Sequence, residues 1–109
     1  MIYLMNSAMM PQEGKYEMRR IGLMEFIEMV QNNPFKSYIG YPTTAAFIKK
    51  VTGREIPINR EKTAPLKRGD ILLVCKLKYR LKDPRMKGKL EPGIQDFEFF
   101  EVKYLGQQD

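Results

Sequence analysis

The residues from Ser37 to Ala46 (SYIGYPTTAA) carry the most legible chemistry of the chain. An apolar approach leads to a turn at Gly40, and Pro42 then opens a helix, because a missing N–H costs nothing at the first helical position. The N–H groups of Thr43, Thr44 and Ala45 follow without intrahelical acceptors, beside two hydroxyls. Such a helix start receives phosphate well, since free donors and the positive end of the helix dipole converge there. The same hydroxyls equally suit a self-capped helix start bonded to its own backbone. The chain has no histidine. Proton donation beside that helix therefore falls to Tyr41, whose phenol, with a free pKa of roughly 10, is a weak acid at neutral pH. Tyr41 also suits stacking on a base or packing against a neighbouring subunit.

Further along, Asn59-Arg60 offers an amide beside a guanidinium, with Glu55 and Glu61 close enough in sequence to neutralise Arg60. Lys76, Lys78 and Arg80 alternate along an apolar segment, which on a strand spaces three cations about 6–7 Å apart on one face. That row matches phosphates along a nucleotide ring or a nucleic-acid backbone, and it also suits an edge strand protected by charge. The single cysteine, Cys75, sits in an apolar run and reads as a buried, inert thiol. No Cys/His set for zinc exists, and the thirteen carboxylates show no ligand-like spacing, so no metal and no cofactor is expected.

The net charge of +6 is uneven: residues 49–89 hold fourteen Lys/Arg against four Asp/Glu, leaving the remainder of the chain negative. A polyanionic partner follows from that block, as does a merely solvated basic surface. The longest uninterrupted apolar runs are about five residues, far below the ~20 that cross a bilayer. Neither a signal peptide nor a membrane span is expected, and with one cysteine a reducing cytoplasm fits best.

The elements that must position these residues follow from periodicity. Met1–Met5 is apolar on both faces, as in a central strand, and places Asn6 and Ser7 at its C-terminal end, where open α/β sheets bind ligands. Lys15–Ile21 reads as a second strand. Leu23, Phe26, Ile27 and Val30 make Gly22–Gln31 an amphipathic helix. A second helix runs from Pro42 to Gly53, with Phe47, Ile48 and Val51 inward. Ile56–Lys62 is extended, Ile71–Leu81 is the clearest strand, and Asp96–Tyr104 is the last. In that last strand the apolar phase slips at Phe99-Phe100, which requires either a bulge or cover on both faces. The expectation is one α/β domain over residues 1–109, with a mixed sheet of about five strands, two main helices and a frayed tail at 105–109.

Four segments also carry a resemblance: Met1–Ser7, the Ser37–Ala46 segment, Ile56–Arg60, and Arg80-Leu81-Lys82-Asp83. In this order and spacing the chain resembles the viral anti-CRISPR ring nucleases, dimers that bind and cleave cyclic tetra-adenylate, the second messenger of type III CRISPR defence. The resemblance implies a homodimer and a cyclic nucleotide ligand held by Asn6, Ser7, Gly40, Tyr41, Thr43, Thr44, Asn59, Arg60, Lys78, Arg80 and Asp83. In the nuclease members a histidine follows the glycine, and Tyr41 stands there in this chain. Asp83 matches an acidic position usually held by glutamate. What the resemblance implies is therefore ligand binding that antagonises host antiviral signalling, mainly by sequestration. A competing reading is an active metal-independent ring nuclease, with Tyr41, Arg80 and Asp83 as catalytic candidates in place of histidine. Another, of a different class, is a basic protein that binds long DNA or RNA, although no helix-turn-helix or RNA-recognition signature is present.

Overall fold

Ile2–Met5 forms β1 in the interior of a five-stranded sheet. The computed structural model describes residues 1–7, 11–61, 65–79 and 92–107. In chain order the remaining elements are β2 (Lys15–Ile21), α1 (Leu23–Asn32), β3 (Phe35–Tyr38), α2 (Pro42–Thr52), β4 (Ile71–Leu77) and β5 (Phe97–Gly106). A single 3-10 turn, Ile94–Asp96, leads into β5. The strand order is β2-β5-β4-β1-β3; β1 lies parallel to both β3 and β4, and β5 is antiparallel to β4 and β2. The α/β domain with a mixed five-stranded sheet and two helices is therefore as expected from periodicity.

Both helices cover one face of the sheet. Phe26 and Val30 of α1 and Phe47 and Ile48 of α2 pack with Ile2, Leu4, Leu73, Cys75, Phe97 and Phe99. Phe47 stacks on Phe97 with ring centroids 4.2 Å apart, and burying such a side chain contributes roughly 1.5–3 kcal/mol. The opposite face carries Tyr3, Tyr38, Leu72, Val74, Val102 and Tyr104. With both faces covered, β1 and the Ile71–Cys75 stretch of β4 are continuous apolar runs, as parallel strands inside a sheet tend to be. Burial drives the Cys75 thiol far above its usual range, so it stays protonated and unreactive. No helix among the described residues is long and apolar enough to cross a membrane.

The phase slip in β5 resolves as cover on both faces. The β4–β5 register runs unbroken through Val74–Phe100 and Cys75–Phe99. Phe99 enters the helix-side core, and Phe100 packs on the tyrosine side.

Three expectations are corrected. The edge strand Phe35–Tyr38 is not among the expected strands, and the extended piece expected at Ile56–Lys62 makes, among the described residues, one parallel bridge, Ile58 to Ile39. Pro57 has no N–H for a ladder, and its carbonyl accepts from the Ser37 hydroxyl at 2.6 Å. The strand expected to reach Leu81 ends at Leu77; Lys78 and Tyr79 form a bend, although the Lys78 N–H still donates to the Asp96 carbonyl opposite it at 2.9 Å. Lys78 lies just past the strand; Lys76 and Lys78 are both exposed, and Arg80, the third cation of the expected row, lies outside the described residues. Leu105 and Gly106, expected to fray, complete β5 by pairing beside Lys15.

Candidate functional site

The parallel trio β3-β1-β4 ends along one edge of the sheet, and a cleft of about 490 Å³ opens at the ends of β1 and β3. Its apolar wall is Met5, Pro11 and Tyr38; its polar lining is Asn6, Ser7, Tyr41, Asn59, Arg60 and Glu61, with Gly40 between. The position follows from the fold. Where parallel strands stop, their last side chains and the connecting loops surround a crevice that no ladder hydrogen bond fills.

Gly40 sits at the centre of the polar wall. Its N–H donates to Asn6 Oδ1 at 2.7 Å, and its carbonyl accepts from Arg60 Nε at 3.1 Å. The glycine turn expected here is not left-handed; among the described residues positive φ occurs at other glycines. A Cβ on Gly40 would stand 3.4 Å from Arg60 Cγ, an ordinary contact, so a small side chain fits and the turn argument for this glycine falls away. With Oδ1 engaged by the Gly40 N–H, the Asn6 Nδ2 meets no acceptor among the described residues. Arg60 likewise keeps its terminal Nη groups, which bond nothing among the described residues. The expected ion pair of Arg60 with Glu55 or Glu61 is absent among them: Glu55 pairs with Lys49, and Arg60 turns to Gly40.

Asn59 lines the cleft and also braces it. Its N–H donates to the Ile39 carbonyl at 2.9 Å, its Nδ2 to the Ser37 carbonyl at 3.0 Å, and its Oδ1 accepts from the Glu61 N–H at 3.0 Å. These bonds fasten residues 59–61 to the end of β3 and orient Arg60 and Glu61 as they line the cleft. Asn59 is a brace: one donor of its Nδ2 and one lone pair of its Oδ1 are engaged.

The helix start beside the cleft is only partly as expected. Tyr41 is the N-cap and Pro42 occupies the first turn. The Ala45 N–H, expected to be free, donates to the Tyr41 carbonyl at 3.0 Å. The N–H groups of Thr43 and Thr44 meet no acceptor among the described residues, and the cap provides no side-chain bond. Their hydroxyl oxygens are buried and likewise without a partner among the described residues. The self-capped alternative is therefore not what forms. Unbonded buried hydroxyls are uncommon and hold unused hydrogen-bonding capacity. At the far end, Gly53 closes α2 with φ 76°, its N–H donating to the Lys49 carbonyl at 2.7 Å, the left-handed stop that glycine favours.

The wall that includes Pro11 is fastened over the tyrosine face. The Tyr16 hydroxyl donates to the Gln12 carbonyl, and the Tyr104 hydroxyl donates to the Glu13 carbonyl at 3.1 Å. The Gln12 amide exchanges a pair of bonds with the backbone of Leu66, both 3.2 Å.

Of the residues singled out in the sequence, Asn6, Ser7, Gly40, Tyr41, Asn59 and Arg60 meet in one cleft. Thr43 and Thr44 lie at the adjoining helix start, outside the cleft lining, and Lys78 is outside it too. Arg80 and Asp83 lie outside the described residues. Sequence reasoning missed Met5, Pro11, Tyr38 and Glu61 as lining. Met5 and Tyr38 were discoverable as the last residues of parallel strands, and Glu61 as the neighbour of the Asn-Arg pair. Tyr41 is 54% exposed and lines the cleft. No three Cys, Asp or Glu side chains gather as a metal-ligand set among the described residues.

The sequence profile of the STIV B116-like family matches residues 2–99. A relative from Sulfolobus islandicus filamentous virus (isolate Iceland/Hveragerdi), described as "Uncharacterized protein 26", is 31% identical over 102 residues, or 90% of this chain and 82% of the relative. Among solved structures, B116 of Sulfolobus turreted icosahedral virus is similar with a TM-score of 0.70, covering 94% of this chain and 98% of that one, at 17% identity. At that identity the likeness is one of fold. Match, relative and fold agree: the chain belongs to the STIV B116-like family, a small family of archaeal-virus proteins.

Proposed function

We propose that the cleft binds a cyclic oligoadenylate or a closely related cyclic nucleotide signal, and that the protein antagonises host antiviral signalling of the type III CRISPR kind by sequestering it. One observation carries this reading: Asn6, Ser7, Tyr41 and Arg60 converge on a single cleft beside a helix start with spare donors. Arg60 supplies a cation with its Nη groups available to phosphate. Asn6 Nδ2 and the Ser7 hydroxyl supply neutral donors, and Tyr38, Met5 and Pro11 supply apolar surface for a base. The Thr43 and Thr44 N–H groups add the favourable end of the α2 dipole.

A cleft of about 490 Å³ is of ordinary small-molecule size, and a ring of four nucleotides is larger than such a ligand. Two clefts facing one another across a two-fold axis would share it, each reusing the same residues on half of a ring with two-fold symmetry. The working unit in this reading is a homodimer in the host cytoplasm.

Cleavage of such a ring without metal would proceed by attack of a ribose 2′-hydroxyl on the adjacent phosphorus, leaving a 2′,3′-cyclic phosphate and expelling the 5′-oxygen. That leaving oxygen needs a proton. With Tyr41 in place of histidine the donor is poor, and loss of a good general acid lowers such rates by ~10²–10⁴-fold. Capture without appreciable cleavage is the expected behaviour. Incubation with cyclic tetra-adenylate followed by denaturation and chromatography tests it. Intact ring released from a stable complex supports sequestration; rapid cleavage that disappears in Tyr41→Phe would make Tyr41 the general acid of a nuclease.

A further inference from the structure

The cleft described above is not uniformly anion-seeking. Among the described residues that line it, Glu61 carries the one carboxylate. Three features keep that charge in place. Its backbone is pinned by the N–H bond to Asn59 Oδ1 at 3.0 Å. Arg60, its immediate neighbour, turns its Nε away to the Gly40 carbonyl at 3.1 Å. Among the described residues no cation forms an ion pair with Glu61, since Lys49 is taken by Glu55.

A carboxylate within reach of a bound phosphate is repulsive, and Glu61 would weaken a cleft built for anions alone. It becomes favourable when it faces a part of the ligand that donates hydrogen bonds. An ionised carboxylate only accepts. The complementary group is then an exocyclic amine of a base or a hydroxyl of a ribose. Arg60 and Glu61 are adjacent in sequence and braced by the same asparagine, so phosphate and donor must lie close together on the ligand. That is the chemistry of a nucleotide with its donors intact.

We infer that Glu61 is a specificity-determining residue of the cleft, selecting nucleotides that present an N–H₂ or O–H donor next to the phosphate held by Arg60. The inference rests on the nucleotide-binding reading above and adds which part of the ligand is read. The amine and the hydroxyl are two sources of one donor chemistry, and ring analogues separate them. Replacing adenine by unsubstituted purine deletes the amine and leaves no donor on that edge of the base. Removing the 2′-hydroxyl deletes the ribose donor.

The test is calorimetric titration of the natural protein and Glu61→Ala with three probes: cyclic tetra-adenylate, the same ring with unsubstituted purine bases, and the 2′-deoxy ring of cyclic tetra-adenylate. Glu61 is exposed, and alanine retains the backbone N–H bonded to Asn59, so circular dichroism should show an unchanged fold. The natural protein is expected to bind at least one analogue about 10-fold or more weakly than cyclic tetra-adenylate, the weight of one charge-assisted hydrogen bond. In Glu61→Ala that preference should fall to within about threefold, because the acceptor that enforced it is gone. Loss of preference against the purine ring assigns the contact to the base; loss against the deoxy ring assigns it to the ribose. Preferences that persist unchanged in Glu61→Ala, or a natural protein that binds all three rings alike, overturn this inference and leave the nucleotide-binding reading intact. If none of the three rings binds, the function proposed above falls, and the role of Glu61 falls with it.

Discussion

Replacing Asn59 by alanine separates a brace from a ligand contact. The substitution removes two side-chain hydrogen bonds, the donation to the Ser37 carbonyl and the acceptance from the Glu61 N–H, both 3.0 Å. Each such bond contributes about 0.5–1.5 kcal/mol net, so the loss amounts to roughly 1–3 kcal/mol of folding stability. The upper half of that range is favoured because Ser37 is 6% exposed, where water replaces the lost donor poorly. With a urea slope of about 1–3 kcal/mol per M, the unfolding midpoint should drop by roughly 1 M. Asn59→Asp is the informative companion. It keeps an acceptor for the Glu61 N–H but turns the donor toward Ser37 into a second acceptor, so it should lose a substantial share of the same stability. Urea unfolding followed by tyrosine fluorescence reads both variants without any ligand present. Ligand affinity should fall in parallel, since residues 59–61 lose their anchor to β3. A midpoint within about 0.2 M of the natural protein, with ligand binding nonetheless lost, would refute the reasoning and make Asn59 a direct ligand contact.

Other outcomes follow from the same structure. Phe47→Ala should destabilise by about 3–5 kcal/mol, because the ring is 5% exposed and stacks on Phe97; thermal denaturation checks it. Gly53→Ala should lose about 1–2 kcal/mol, since the helix stop holds φ 76°. Cys75 gives a pH dependence whose sign can be worked out. Burial raises its folded pKa above the unfolded value, so the stability it carries is complete below the unfolded thiol's pKa of about 8.5 and declines as pH rises beyond it, by up to about 1.4 kcal/mol per pH unit. Urea unfolding from pH 8 to 10 should show this slope reduced in Cys75→Ala relative to the natural chain. Tyr41→His restores a donor with a pKa near 6.5 and should raise cleavage of cyclic tetra-adenylate at least about 10-fold if its imidazole reaches the leaving oxygen; product chromatography reads it. Light scattering should return a dimer at micromolar concentration with the ring bound, and a monomer would remove the shared-pocket geometry.

What was legible in the sequence was what local residues decide. Helix α2 announced both its ends, with Pro42 at the start and Gly53 at the left-handed stop, and β4 announced itself through the unbroken Ile71–Cys75 run. What stayed hidden depended on distant partners. Strand β3 has four residues and follows Pro34, too short for its periodicity to stand out, and it is a strand because β1 pairs with it. Ile56–Lys62 has a comparable composition but lies where Pro57 and the end of the sheet allow one bridge. The same contrast holds in the site. Motif order identified Asn6, Ser7, Tyr41 and Arg60 as neighbours. It could not show that the Asn59 amide is engaged by Ser37 and Glu61, because that follows only once residues 22 positions apart meet. Glu61 looked like a partner for Arg60 and emerged as part of the cleft wall once Arg60 was found bonded to Gly40.

The most direct measurement of the central claim is a calorimetric titration of cyclic tetra-adenylate into the natural protein and Arg60→Ala, with the ring recovered afterwards and separated by chromatography. The account predicts saturable binding, recovery of the intact ring, and affinity about 10-fold or more weaker in Arg60→Ala, whose lost guanidinium is worth one charge-assisted bond. Absence of binding by the natural protein, or equal binding by Arg60→Ala, would contradict it.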